Sequence, residues 1–192
     1  VRDAVRSAFD SAGQRCSALR VVYLQEDVAD AMLRMIRGAF EALVIGDPAR
    51  LEVDVGPVID AEAQSKLEAH VAAMRDAGFP VWRRELPAEC ATGHFVAPTI
   101  IEIGSIRDLV EENFGPVLHV ARFPTSGLRQ VIDDINATGY GLTLGLHSRI
   151  AETRLIVEAQ DGITPPREVT LEKPTRYYAP AWSPDGTKLL YS

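Results

Sequence analysis

The chain has 192 residues, 46% of them apolar and 24% charged, with a formal net charge of -7. That length suits one domain with a real core or parts of two, and the composition is that of an ordinary soluble protein. The acidic balance argues against a nucleic-acid or anionic-membrane surface, and two distant cysteines, Cys16 and Cys90, form no disulfide framework, which predicts a reducing, cytoplasmic setting.

Taken in order, residues 1–12 carry Val1, Ala4, Val5, Ala8 and Phe9 at helical spacing, and Gly13 is expected to end that helix. Residues 17–24 turn β-branched and predict a buried strand. Residues 27–43 predict an amphipathic helix with Val28, Met32, Met35, Ile36, Ala39, Phe40 and Leu43 as its core stripe, broken by Gly46-Asp47-Pro48. Residues 53–60 read as a loop with a tight Gly56-Pro57 turn. Asp60 is placed to cap the next helix, which turns Ala63, Leu67, Val71 and Met74 inward and stops at Gly78. Val81-Trp82 predicts a short strand, residues 94–103 a β-rich run around Pro98, and residues 117–123 another strand. A helix follows over 128–135, a strand entry over 140–147 and a last helix from 151 to 158. Strands alternating with one-sided helices predict an α/β fold with a largely parallel sheet covered on both faces.

After Gln160 the character changes. Residues 159–166 hold the breaker cluster Asp161-Gly162-Ile163-Thr164-Pro165-Pro166 and read as a junction. Pro184-Asp185-Gly186, between an aromatic run and Lys188-Leu189-Leu190-Tyr191, predicts a β-hairpin, so residues 167–192 resemble one blade of a TolB- or tricorn-type β-propeller. No apolar run reaches the length of a membrane span. The chain opens without Met inside a helical pattern and reads as a piece of something longer.

The stretch with most chemistry is Phe9 to Arg20. A thiol reacts as thiolate, and nearby cations favour that form. Arg15 and Arg20 supply charge beside Cys16 in sequence. On local chemistry alone, a nucleophile and a half-buried structural cysteine both remain open. The pattern of Phe9, Gly13, Gln14 and Cys16 resembles the active-site cysteine motif of the aldehyde dehydrogenase superfamily. With Ser17-Ala18-Leu19-Arg20 it looks most like the glutamate-semialdehyde (pyrroline-5-carboxylate) dehydrogenase part of bifunctional proline utilisation proteins, over residues 1–158. A second string, Glu112-Asn113-Phe114-Gly115-Pro116, is similar to the family's second motif; without the resemblance it reads as a charged turn before a strand.

The resemblance implies that the Cys16 thiolate attacks an aldehyde, that hydride passes to NAD, and that water releases the acid from a thioester. It implies Cys16 as nucleophile, its backbone N–H as an oxyanion donor, and Glu112 and Phe114 as contacts to the nicotinamide ribose and ring. Ser17 would bind the substrate carboxylate, although a local hydroxyl bond to backbone is an equal reading. It also implies a homo-oligomeric parent enzyme and a small aldehyde substrate. The family's Glu-Leu-Gly-Gly type base motif and a Gly-rich phosphate loop do not occur in this sequence. The chain by itself is therefore expected to be inactive. Rival readings are another aldehyde oxidiser of the superfamily and a non-catalytic remnant fused to a propeller-type protein. His70, His94, His119 and His147 show no metal-ligand spacing, and no metal is expected. His70 reads as a partly exposed packing residue, Cys90 as incidental in a polar loop, and Glu111 as diverging from Glu112.

Overall fold

The computed structural model describes residues 1–140, 142–145 and 147, and the backbone of four short strands beyond them. The chain divides into two compact units, Val1–Thr138 and Gly139–Ser192.

The first unit is built on a four-stranded sheet in the order β1-β4-β3-β2. Its strands are β1 (Val21–Gln25), β2 (Val81–Arg83), β3 (Thr99–Ile103) and β4 (Val117–Phe123). β1, β4 and β3 run parallel, and only the edge strand β2 is antiparallel. β4 is the centre: His119 stands opposite Val21 on one side and Ile101 on the other. Residues 117–121 are all buried, as a strand covered on both faces requires. The expected mixed α/β architecture is the one observed.

Helices α1 (Arg2–Phe9) and α2 (Glu26–Glu41) pack on each other and on the sheet, with the Phe9 and Phe40 rings 5.4 Å apart. Helix α3 (Ala61–Asp76) buries Leu67, Val71 and Met74. Its cap is the expected one: Asp60 Oδ1 accepts from the Ala63 N–H at 2.8 Å. Gly78 follows with φ of 87°. Helix α4 (Leu128–Asn136) closes the unit.

Several expectations are corrected. Helix α2 buries Ala29, Leu33, Ile36 and Phe40, whereas Val28 and Met35 are about half exposed. The apolar residues cover so much of the helix that spacing alone leaves the inward direction open. The first helix stops at Phe9, and Asp10–Gly13 tightens into a 3₁₀ turn in which Ser11, Ala12 and Gly13 all have positive φ. Cys90 is a core residue, because the short 3₁₀ turn Ala88–Thr92 folds its thiol inward beneath polar neighbours. Residues 154–157 form a strand rather than a helix: β5 (Arg154–Val157) pairs antiparallel with β6 (Arg167–Thr170), in keeping with the β-branched Ile156 and Val157.

In the second unit β7 (Ala181–Trp182) also pairs antiparallel with β8 (Leu189–Leu190), the pairing expected of a hairpin. The Pro184-Asp185-Gly186 turn and the junction at 159–166 lie outside the described residues. Of the strand entry expected over 140–147, the described residues 140, 142–145 and 147 carry no strand.

Candidate active site

Cys16 and Ser17 are the two central residues of a turn closed by the Ala18 N–H donating to the Arg15 carbonyl at 3.0 Å. Both side chains are exposed. Among the described residues the Cys16 backbone N–H has no acceptor. The turn is anchored on each side. Gln14 Nε2 donates to the Ser11 and Pro57 carbonyls at 3.3 Å, and Gln14 Oε1 accepts from the Ile59 N–H at 2.7 Å. Ser7 Oγ accepts from the Leu19 N–H at 3.1 Å.

The second motif arrives against this turn. Gly13 (φ 64°) is packed so closely on the Gly115 carbonyl that a Cβ at Gly13 would lie 2.6 Å from the Gly115 carbon and 2.8 Å from the Ala8 oxygen. A Cβ on Gly115 would in turn strike the Leu67 side chain. Backbone contacts and a positive φ require glycine at Gly13, whereas a side chain at Gly115 would have to displace Leu67.

Arg20 joins the two segments. Its guanidinium donates to the Gly13 carbonyl, to the Arg15 carbonyl at 2.9 Å and to Glu112 Oε1 at 3.2 Å. It also lies 4.4 Å from the centre of the Phe114 ring. Burial pulls the Arg20 pKa down, against the opposing pull of Glu112 and of Cys16 nearby. An arginine fits here because one planar fork can serve three acceptors and a ring at once.

Glu112 is thereby fixed beside Phe114, whose ring is 45% exposed, with the wholly exposed Val110 a few residues before it. Glu111 is exposed. A carboxylate next to an open aromatic ring offers hydrogen-bond acceptors beside a flat apolar face. Ser17 lies in an open surface groove with Asp3, Arg6, Ser7, Asp10 and Arg15. Among the described residues no cluster of three metal-ligating side chains occurs, and no helix is long and apolar enough to cross a membrane.

The sequence placed charge on Arg20 but not its contacts, and it read His70 rightly as partly exposed but did not show its polar partners. That ring is half-buried and hydrogen-bonded, His70 Nε2 to His119 Nε2, at 2.9 Å. His119 is 1% exposed and Asn113 is 9% exposed. The signal that could have exposed the pair is the polar His119 inside the otherwise apolar run 117–121 of the central strand.

A profile of the aldehyde dehydrogenase family matches residues 1–160. The chain belongs to the aldehyde dehydrogenase family. It is 52% identical over 158 residues to the bifunctional protein PutA of Escherichia coli, covering 80% of this chain and 12% of that one. A mutant of Proline Utilization A (PutA) from Bradyrhizobium japonicum superposes with a TM-score of 0.72 at 50% identity, over 77% of this chain and 15% of that one. A betaine aldehyde dehydrogenase double mutant from Staphylococcus aureus, in complex with NAD+ and with a BME-modified cysteine, gives 0.64 at 26% identity, over 70% of this chain and 28% of that one. The chain thus spans a small part of the length of these aldehyde dehydrogenase relatives.

Proposed function

We propose that this chain carries the nucleophile and the nicotinamide-side contacts of an NAD-dependent dehydrogenase that oxidises glutamate semialdehyde to glutamate. The convergence of the Cys16 turn and the Glu112–Phe114 segment on Arg20 is the observation that carries this reading. The likeness to PutA proteins supports the substrate, and the NAD+ complex of the betaine aldehyde dehydrogenase supports the cofactor.

In this account the Cys16 thiolate attacks the aldehyde carbon, a C–S bond forms, and the carbonyl oxygen becomes an alkoxide held by the Cys16 N–H. Glu112 accepts hydrogen bonds from ribose hydroxyls, and Phe114 offers a flat apolar face. NAD+, when bound, supplies the two-electron acceptor for the aldehyde hydrogen. Cys16 is then the leaving group when water cleaves the thioester. Ser17 donates its hydroxyl to the substrate carboxylate, with Arg15 and Arg6 lining the same groove.

Protection of Cys16 tests the reading. Glutamate semialdehyde is expected to slow alkylation of Cys16 by iodoacetamide, and propanal, which lacks the carboxylate, to slow it less. Equal protection would favour another aldehyde oxidiser. No protection by either would overturn the account.

A further inference from the structure

The buried polar chain beneath the site has one consistent arrangement of protons. His119 Nδ1 faces the Arg20 carbonyl at 3.0 Å, an acceptor, so Nδ1 carries the hydrogen. The His119 backbone N–H donates to that same oxygen at 2.9 Å. His119 Nε2 is therefore bare and accepts from His70 Nε2 at 2.9 Å. His70 Nδ1, bare in turn, accepts from Asn113 Nδ2 at 3.4 Å, and Asn113 Nδ2 also donates to the Glu111 carbonyl at 3.3 Å. The two rings meet edge to face, at 74° and 5.1 Å between centres.

This chain ends on the two segments that form the site. Asn113 lies between Glu112 and Phe114, and Arg20 is the residue whose guanidinium pairs with Glu112. α3 contributes His70, and the central strand contributes His119. An apolar pair would fill the same space at lower cost of burial, but it would not fix direction or spacing.

We propose that His70 and His119 are positioning residues for this site: as a neutral, singly bridged pair they hold Asn113 and the Arg20 carbonyl at a fixed separation and so set Glu112 and Phe114 against the Cys16 turn. The inference rests on the dehydrogenase reading of that site. Glu111 faces His70, Arg20 faces His119, and each ring faces the other. An added proton would go to one of the two bare nitrogens: on His119 Nε2 it would put two hydrogens into the Nε2–Nε2 gap and a charge beside Arg20, and on His70 Nδ1 it would meet the Asn113 Nδ2 hydrogens, so either site breaks one of the bridges. Burial lowers both imidazole pKa values and keeps the pair neutral at pH 7.

The experiment uses the full chain. Nitrogen-15 NMR of the histidine rings at pH 7 is expected to show the Nδ1–H tautomer for His119 and the Nε2–H tautomer for His70. His70→Leu is expected to shift the amide signals of residues 112–115, and His70→Gln, which can still donate to His119 and accept from Asn113, to restore them. The opposite tautomers would overturn the proposal without recourse to any variant. So would 112–115 amides that stay in place in a folded His70→Leu chain. Iodoacetamide labelling of the same wild-type sample separates the two claims. Correct tautomers with an inert Cys16 would sink the dehydrogenase reading, and with it the positioning role. Wrong tautomers with a reactive Cys16 would sink only the histidine proposal.

Discussion

Gly13 presses on the backbone carbonyl of Gly115, so that Gly13 has no room for a methyl group. This contact brings the cysteine turn and the Glu112–Phe114 segment together, and it gives Gly13 a physical reason. Gly13→Ala meets a steric collision and a positive φ of 64° at once. It is expected to cost roughly 2–4 kcal/mol in a urea titration. Gly78→Ala is the control: its φ is 87° but nothing lies within 4 Å, so only the backbone strain of roughly 1 kcal/mol applies. Equal losses at the two sites would show that the contact contributes nothing.

Arg20→Gln removes the guanidinium from Glu112, Phe114 and the Gly13 and Arg15 carbonyls together. The side chain is 13% exposed and its partner Glu112 27%, so the loss is expected to be about 2 kcal/mol, above the value of a surface pair. Cys16 alkylation is expected to slow in the same variant. Arg20→Lys keeps the charge but has no planar fork, and is expected to recover little of either. Full recovery in the lysine variant would mean that charge alone matters.

His119 makes stability depend on pH in a defined direction. Burial, with Arg20 and His70 nearby, carries its pKa from 6.5 down to about 4, against a hydrogen bond to the Arg20 carbonyl that favours the proton. Between those values the unfolded chain binds a proton that the folded chain refuses. The neutral ring's contribution is complete above pH 6.5 and is lost as pH falls toward 4, a change of about 3 kcal/mol. Urea midpoints at pH 7, 5.5 and 4.5 measure it against His119→Phe, which should show a flatter profile over that window.

Asp60→Ala deletes the cap of α3 and is expected to cost about 1 kcal/mol. Because α3 also carries His70, the His70 ring signals should move in this variant. A change confined to the first turn would show that the helix and the histidine bridge are not coupled.

Much of the first unit was legible in the sequence because its signals are local. Asp60 before an apolar periodicity, Gly78 after it, and the β-branched runs at β1 and β4 each specify an element within a few residues. The facing direction of α2 was not, because its apolar residues span a wide arc. Relative to the expected stripe, the buried side is rotated by roughly 60° at 100° per residue. At the site, motif likeness singled out Cys16, Glu112 and Phe114. It said nothing of Arg20 with Glu112 or His70 with His119, whose contacts join elements far apart in the chain. Cys90 looked like a loop residue because its neighbours are polar, and only the inward fold of a single 3₁₀ turn buries it.

The central claim is that the two converging segments make Cys16 a nucleophile, and its alkylation rate tests that claim most directly. The comparison is iodoacetamide labelling of Cys16 at pH 7 in the folded chain and in the same chain unfolded in urea, followed by peptide mass spectrometry. The account predicts faster labelling in the folded chain, with Arg20 near an exposed thiol. Equal or slower labelling in the folded chain would contradict it and leave Cys16 as an ordinary surface cysteine.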